Sequence, residues 1–122
     1  MAAQKILVVD DSPTERFFLA NLLAKKGYTV ITAENGEEAF VKTKTERPSL
    51  VVMDVVMPGQ NGFQITRALT RDPETQNIPV IICTSKTAET DRIWGLRQGA
   101  RDYLTKPIKP DELLAKIADL VS

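Results

Sequence analysis

The residues of this sequence that are best suited to chemistry stand directly behind short apolar segments. Carboxylates, hydroxyls and an amine share this placement: Asp10, Asp11, Asp54, Thr84, Ser85 and Lys106. If the apolar segments are parallel strands, their carboxyl ends lie along one edge of a sheet, where ligands bind in open α/β folds. The pattern therefore predicts that these side chains meet, although up to 96 positions separate them in the chain.

Three carboxylates that meet at one edge predict a cation among them. Neighbouring carboxylates raise one another's pKa unless a positive charge keeps them ionised. Because the chain has no His, oxygen ligands are expected, and these favour Mg²⁺, Mn²⁺ or Ca²⁺ over zinc. A metal and Lys106 would attract a phosphate, with Thr84 as hydroxyl donor, and a carboxylate could then attack phosphorus. Positioning and charge stabilisation would supply most of this catalysis.

Five apolar segments, each followed by a helical pattern, must position these residues. The predicted strands are Ile6–Val9, Tyr28–Ile31, Leu50–Met53, Val80–Cys83 and Asp102–Leu104. The first, third and fourth are continuously apolar, which is typical of strands covered on both faces. We therefore expect an α/β fold, a doubly wound parallel sheet between helical layers with right-handed crossovers. Periodicity alone leaves the strand order open.

The segments between the strands carry helix signals. Ser12 and Pro13 form a typical N-cap and first helical position, and Asn35 and Pro110 precede two further helical patterns. The fourth helix is expected over Asp91–Gln98. Apolar residues at helical spacing predict inward-facing stripes: Phe18, Leu19, Leu22 and Leu23; Ile65, Ala68 and Leu69; Ile93 and Leu96; Leu113, Leu114, Ile117, Leu120 and Val121. Trp94 could lie at a helix edge or on a partner surface, and the sequence does not distinguish these.

Length and composition indicate one globular domain over residues 1–122. The chain is 43% hydrophobic and 26% charged, with equal numbers of basic and acidic residues. The balanced charge gives no support for nucleic acid as a partner, and no apolar run is long enough to insert in a membrane. No signal-peptide pattern is visible, so the expected location is the cytoplasm. Cys83 is the one cysteine; it excludes an internal disulfide and is expected in the core.

The ordered set Asp10-Asp11, Asp54, Thr84 and Lys106-Pro107, spread over five strand–helix units, resembles the receiver domains of bacterial two-component response regulators. The resemblance covers essentially the whole chain and is strongest with the single-domain chemotaxis type. It implies a flavodoxin-like sheet of order 2-1-3-4-5 with five helices. Residues 57–59, Gly62 and residues 99–104 also fit the family. Residues 91–104 are similar to receivers associated with type IV pilus twitching motility.

The resemblance implies roles for the residues at the metal and phosphate site. Asp54 would accept a phosphoryl group from a phosphohistidine on a histidine kinase or a phosphotransfer domain. Asp11 would bind Mg²⁺ directly and Asp10 chiefly through water, while Asp54 and the backbone carbonyl of Val56 would complete the protein ligands. Mn²⁺ is a possible substitute. Lys106 would pair with Asp54 or with its phosphate.

The resemblance also implies how the signal would leave the site. Thr84 would hydrogen-bond the phosphoryl group and draw in the following loop, and Tyr103 would move between exposed and buried positions. The fourth helix, fifth strand and fifth helix would contact an unknown protein target. The chain would act as a signalling switch and not as an enzyme, as a monomer or weak dimer. A cis Lys106–Pro107 bond is expected from the same resemblance.

Two positions beside the predicted site suggest a hypothesis about the lifetime of the phosphate. Val56 lies two residues after Asp54, and Lys86 lies two residues after Thr84. Both would flank the route of an attacking water. We expect slow self-dephosphorylation, because Val56 cannot orient a water molecule and Lys86 could occupy the approach.

Three other functions have to be weighed against a phosphorylated receiver. A phosphatase of the haloacid-dehalogenase type uses similar groups, but its acids follow an Asp-x-Asp pattern, whereas Asp10 and Asp11 are adjacent. A flavodoxin-like mononucleotide binder would need a phosphate loop after the first strand, and these two acids would repel the phosphate. A degenerate receiver that only binds proteins would lack some of the site residues, all of which are present here.

Overall fold

Five parallel strands form one sheet in the order β2-β1-β3-β4-β5. The strands are β1 Lys5–Val9, β2 Thr29–Ala33, β3 Leu50–Met53, β4 Val80–Thr84 and β5 Asp102–Thr105. This computed structural model describes residues 4–57, 59 and 61–121. Pro58, which belongs to a segment that fits the receiver family, lies outside the described residues. The predicted fold class and strand order are confirmed.

Five helices alternate with the strands. They are α1 Pro13–Ala24, α2 Gly36–Glu46, α3 Gly62–Arg71, α4 Glu89–Arg97 and α5 Pro110–Val121. The predicted caps are present: the side chain of Ser12 accepts from the backbone N–H of Glu15, and that of Asn35 accepts from Glu38. Helix α4 differs, because Ala88 at its N-cap provides no side-chain hydrogen bond.

The sheet divides the core into two layers. Alternate strand residues, such as Val8 and Val52, pack with the buried residues of α1 and α5 on one face. Their neighbours in sequence, such as Val9 and Met53, pack with α2 and α3 on the other face. A smaller cluster on this second face contains Tyr103 and is packed against Leu96 of α4. Strands β1, β3 and β4 are thus covered on both sides, as their continuous apolar sequences predicted.

Some of the predicted inward-facing positions are wrong. Ile93 of α4 is 43% exposed and Phe18 of α1 is 47% exposed, and Ala68 of α3 is also exposed. In α4 the buried residue is Gly95. Because successive residues turn by about 100° around a helix, Ile93 points roughly away from the sheet when Gly95 faces it.

Candidate functional site at the carboxyl edge of the sheet

The backbone hydrogen bonds of the sheet extend one residue beyond the strands and fix two of the predicted acids. The N–H of Asp10 donates to the carbonyl of Ala33 at 3.1 Å, and the N–H of Asp54 donates to the carbonyl of Val9 at 2.9 Å. Val9 is paired with Met53 in the parallel register. Asp10 and Asp54 therefore follow directly after paired residues on adjacent strands, with their backbones held by the sheet.

The three predicted carboxylates lie together. Oxygen atoms of Asp10, Asp11 and Asp54 lie within 4.8 Å of one another. Asp10 is 2% exposed and Asp54 is 6% exposed, whereas Asp11 faces solvent. A group of carboxylate oxygens this close, open on one side, suits a hard divalent cation that retains water ligands. The donor set therefore fits Mg²⁺ or Mn²⁺.

Lys106 brings a positive charge to the buried side of this cluster. Its Nζ lies 2.9 Å from Oδ2 of Asp10 and 3.5 Å from Oδ2 of Asp54. The backbone N–H of Lys106 donates to the carbonyl of Thr84 at 2.8 Å, which ties the lysine to the end of β4. The Lys106–Pro107 peptide bond is cis, as the resemblance implied. The lysine pairs more closely with Asp10 than with Asp54.

The electrostatics of the site follow from its burial. Burial raises the pKa of Asp54, and the charge of Asp10 raises it further, while Lys106 acts in the opposite direction without cancelling the effect. Burial by itself would lower the pKa of Lys106, but its hydrogen bond to Asp10 and the charge of Asp54 outweigh burial and raise that pKa. Lys106 is therefore held in its cationic form, and Asp54 carries a charge that lacks full compensation. A cation among the carboxylates would offset this charge.

Thr84 and Tyr103 are linked through the backbone of one residue of the β4–α4 loop. Thr84 is fully buried, and its Oγ1 accepts a hydrogen bond of 3.4 Å from the N–H of Lys86. The hydroxyl of Tyr103 donates to the carbonyl of Lys86 at 2.9 Å. Tyr103 is 6% exposed, and burial raises its pKa to about 12, so it remains a hydrogen-bond donor at neutral pH. The side chain of Tyr103 is in its buried position in this structure.

Of the two further predicted positions, Val56 contacts one of the acids and Lys86 contacts Thr84. Val56 is 52% exposed, and its N–H donates to Oδ1 of Asp54 at 3.3 Å. Lys86 is exposed on the loop that follows Thr84.

Cys83 is buried as predicted, and burial raises the pKa of its thiol to about 12, so it is an inert core residue.

Sequence reasoning missed the contacts that hold Asp10 from the side of α1. The N–H of Ser12 donates to Oδ1 of Asp10 at 3.0 Å, and a guanidinium nitrogen of Arg16 donates to the carbonyl of Asp10 at 2.7 Å. The only signal for Arg16 was its place in the first turns of the helix after the two acids. That place does not distinguish it from a solvated surface arginine.

Comparison with known proteins identifies the family. Residues 6–118 match the model of the response regulator receiver domain. The chain belongs to this family. It is 57% identical to Protein PilH of Pseudomonas aeruginosa over 93% of each chain. It also resembles a solved structure of the chemotaxis protein CheY4 of Vibrio cholerae, with a TM-score of 0.91 and 32% identity over 98% of this chain and 99% of that one.

Other relatives are longer than this chain. The phosphate regulon transcriptional regulatory protein PhoB of P. aeruginosa is 39% identical over 96% of this chain, which spans only 51% of that protein. The similarity to such regulators therefore concerns their receiver portion.

Membership in this family decides between the main functional alternatives. The receiver domain is a signalling switch of two-component systems, with a histidine kinase as the implied phosphodonor, and not a family of enzymes. The phosphatase and mononucleotide-binding alternatives are therefore set aside.

Among the residues that the structure describes, no helix combines the length and apolar character needed to cross a membrane.

Proposed function

We propose that Asp54 accepts a phosphoryl group from a phosphohistidine on a histidine kinase or phosphotransfer domain. The observation that carries this proposal is the placement of Asp54 at the end of β3. Its carboxylate is nearly buried, lies within 4.8 Å of oxygens of Asp10 and Asp11, and has the Lys106 amine at 3.5 Å. A nucleophile surrounded by cation-binding groups suits phosphoryl transfer, in which charge on the transferred oxygens must be stabilised.

The divalent cation is assigned to the side chains of Asp10, Asp11 and Asp54 and to the backbone carbonyl of Val56. When bound, Mg²⁺ or Mn²⁺ would neutralise phosphoryl oxygens and orient them toward the nucleophile. The exposed side of the cluster at Asp11 leaves room for water or phosphate oxygens. Asp10 already shares its Oδ2 with Lys106, which agrees with a weaker, water-mediated role for this residue.

In the transfer step, a carboxylate oxygen of Asp54 forms a bond to phosphorus while the bond from phosphorus to the donor imidazole nitrogen breaks. The imidazole leaves with the electron pair and takes up a proton from solvent. Lys106 offsets charge on the acyl phosphate, and Thr84 donates its hydroxyl to a phosphoryl oxygen. Because Thr84 lies at the end of β4, on the same edge of the sheet as Asp54, a small shift of its loop would bring these groups together.

The proposed output surface consists of α4, β5 and α5. Thr84 and Tyr103 both contact the backbone of Lys86, so a movement of Thr84 toward a phosphate alters the support of the Tyr103 hydroxyl. On α4 the apolar side chains of Ile93 and Trp94 are 43% and 48% exposed. An unidentified protein target would contact this surface, and phosphorylation would shift an equilibrium between its conformations.

We further propose that residues 1–122 form one receiver domain, which acts in the cytoplasm as a monomer or weak dimer without binding nucleic acid. A role in the control of type IV pilus twitching motility is proposed from the resemblance of residues 91–104 and from the similarity to PilH.

The proposal is tested by the intact mass of the protein after incubation with acetyl phosphate. We expect one added phosphoryl group in the presence of Mg²⁺, none with a chelator, and none in Asp54→Asn. Asp111→Asn, which alters an exposed carboxylate at the start of α5, is the matched control and should be labelled like the wild type. Absence of the adduct with acetyl phosphate and with phosphorylated histidine kinase would favour a degenerate receiver that only binds proteins.

A further inference from the structure

We propose that Arg16 is a positioning residue for the cation site, acting through the peptide group that joins Asp10 to Asp11. This inference rests on the proposed function, since it concerns the affinity of the same acidic cluster for Mg²⁺. Arg16 lies in α1, and its side chain is only 17% exposed. A guanidinium nitrogen donates to the carbonyl oxygen of Asp10 at 2.7 Å.

The contact with Arg16 completes the support of the Asp10 backbone. The N–H of Asp10 is held by the carbonyl of Ala33 in β2, but its carbonyl lies beyond the last residue of β1. Arg16 supplies the donor that this carbonyl accepts. A charge-assisted hydrogen bond of this kind is stronger than one between neutral groups. The bond to Ala33 holds the peptide group before Asp10, and the bond from Arg16 holds the carbonyl of the peptide group between Asp10 and Asp11.

Asp11 depends on this peptide group more than Asp10 does. The carboxylate of Asp10 has its own partners, the N–H of Ser12 and the amine of Lys106. Within residues 4–57, 59 and 61–121, the carboxylate of Asp11 has no hydrogen-bond or ion-pair partner. Its position within reach of the other two carboxylates therefore follows from its backbone. Loosening the peptide group would displace Asp11 first, and this residue is the one proposed to bind the cation directly.

The charge of Arg16 is balanced by a residue of another element. The second terminal nitrogen of Arg16 lies 3.6 Å from Oε2 of Glu34, which follows directly after β2. The backbone N–H of Glu34 in turn donates to Oε2 of Glu38 at 3.5 Å. An unbalanced guanidinium would repel a divalent cation, but the pair with Glu34 reduces this effect. The orienting hydrogen bond should therefore dominate over the charge.

Two opposite results distinguish positioning from charge. If Arg16 positions the peptide group, its removal weakens cation binding. If Arg16 acts mainly as a positive charge, its removal strengthens cation binding, because one repelling charge is lost. Arg16→Gln separates the two effects further, since glutamine keeps an amide donor but removes the charge.

The experiment measures the dissociation constant for Mg²⁺ by isothermal titration calorimetry on the full chain, with Mn²⁺ binding followed by electron paramagnetic resonance as a second probe. We expect Arg16→Ala to weaken binding by about fivefold, a free energy of about 1 kcal/mol that is typical of one hydrogen bond. Arg16→Gln and Arg16→Lys should each recover part of the loss. Arg71→Ala, which removes an exposed arginine at the end of α3, should bind like the wild type.

Phosphorylation kinetics provide a readout that a purely structural loss would not reproduce. In Arg16→Ala, the Mg²⁺ concentration for half-maximal labelling by acetyl phosphate should rise about fivefold, and the maximal rate at saturating Mg²⁺ should stay near that of the wild type. Glu34→Gln, which leaves the hydrogen bond to Asp10 in place, provides a second variant if Arg16→Ala folds poorly. Glu34→Gln should weaken cation binding less than Arg16→Ala does, because it only leaves the positive charge of Arg16 unbalanced.

Unchanged or tighter cation binding in Arg16→Ala and Arg16→Gln, beside measurable binding by the wild type, would overturn the positioning role. For Glu34→Gln, a loss equal to that of Arg16→Ala would also overturn it, since the ion pair and not the hydrogen bond would then matter. A wild-type chain that binds neither Mg²⁺ nor Mn²⁺ would overturn the proposed function, and the inference with it.

Discussion

Helices α4 and α5 flank β5 in the chain, yet they are held in different ways. Helix α5 buries Leu113 and Ile117 completely in the core. Helix α4 buries only Gly95, and its apolar residues Ile93 and Trp94 are each a little under half exposed. Hydrophobic burial, which contributes about 25 cal/mol per Å² of apolar surface, thus fixes α5 far more firmly than α4.

Helix α4 relies instead on polar contacts at its two ends. At its start, the β4–α4 loop is held by the Tyr103 hydroxyl and by Thr84 Oγ1, both at Lys86. At its end, Thr70 of α3 donates to the carbonyl of Gln98 at 2.6 Å. A few hydrogen bonds of about 1 kcal/mol each are easier to exchange than a hydrophobic core. A phosphate that attracts Thr84 would therefore change α4 and leave α5 in place.

The largest expected difference is in stability. Ile117→Ala should lower the free energy of unfolding by about 2–5 kcal/mol, because a fully buried side chain leaves a cavity. Ile93→Ala should change it by no more than about 0.5 kcal/mol, as for other exposed positions. Urea denaturation of both variants measures the contrast. Similar losses in the two variants would show that α4 is anchored by Ile93 and would remove the distinction.

A second prediction concerns the close approach of α4 to the sheet at Gly95. A Cβ at this position would lie 2.9 Å from Cδ2 of Tyr103 and 3.1 Å from Cδ1 of Ile82. Gly95→Ala gains up to about 1 kcal/mol of helix propensity but overpacks the contact at a cost of about 1–3 kcal/mol. We expect a net loss of about 1 kcal/mol in urea denaturation.

Ile82→Val removes the Cδ1 atom that the added methyl group would meet, so it provides the control for this effect. The double variant should lose less stability than the sum of the two single variants. Additive losses of stability would mean that the added methyl group does not press on Ile82, because α4 shifts away from the sheet at little cost.

The difference between α4 and α5 also marks where the sequence was informative. Strands β1, β3 and β4 could be predicted because short, continuously apolar segments between turn residues are typical of strands covered on both faces. Asp10, Asp54 and Lys106 directly follow strands, and Thr84 is the last residue of β4. The stripe of α5 was equally clear. In α4, the apolar residues Ile93, Trp94 and Leu96 span an arc of roughly 160°. Gly95, which faces the sheet, lies on the opposite side of the helix, so the apolar pattern indicated the wrong face. The inward position of Gly95 depends on the shape of Tyr103, which only the folded structure shows.

The role of Arg16 was out of reach of sequence patterns for another reason. Its partners are the backbone carbonyl of Asp10 and the carboxylate of Glu34, and a carbonyl acceptor leaves no trace in the residue types. Contacts of this kind depend on where the backbone of one element ends relative to the side chain of another.

A third prediction tests the polar support at the start of α4. Tyr103→Phe removes the hydrogen bond to Lys86 and should cost about 1 kcal/mol or less, because water can replace the lost donor at this exposed loop. Hydrogen exchange of the amides of residues 85–90 should accelerate. Tyr28→Phe, at a tyrosine packed against the core beside α1, should leave that exchange unchanged. Equal exchange in Tyr103→Phe and the wild type would mean that the hydroxyl does not hold the loop.

The smallest expected effect concerns the lifetime of the phosphate on Asp54, which sets how long α4 would stay in its altered conformation. Val56 is half-exposed beside Asp54 and cannot orient an attacking water. Val56→Asn should shorten the lifetime of the aspartyl phosphate about threefold, a change of about 0.7 kcal/mol in the barrier, measured by the decay of the phosphorylated mass after removal of acetyl phosphate. Val56→Ala keeps an apolar side chain and serves as the control. An unchanged lifetime in Val56→Asn would refute this explanation of slow self-dephosphorylation.

Hydrogen exchange measured by mass spectrometry, with and without acetyl phosphate in the presence of Mg²⁺, tests most directly whether phosphorylation of Asp54 acts on α4. The segments to compare are residues 85–97, which include α4 and the loop before it, and residues 110–121, which form α5. We expect exchange to change severalfold in the first segment and to remain the same in the second, with neither change in Asp54→Asn. Phosphorylated protein with equal changes in both segments, or with none in the first, would contradict this account.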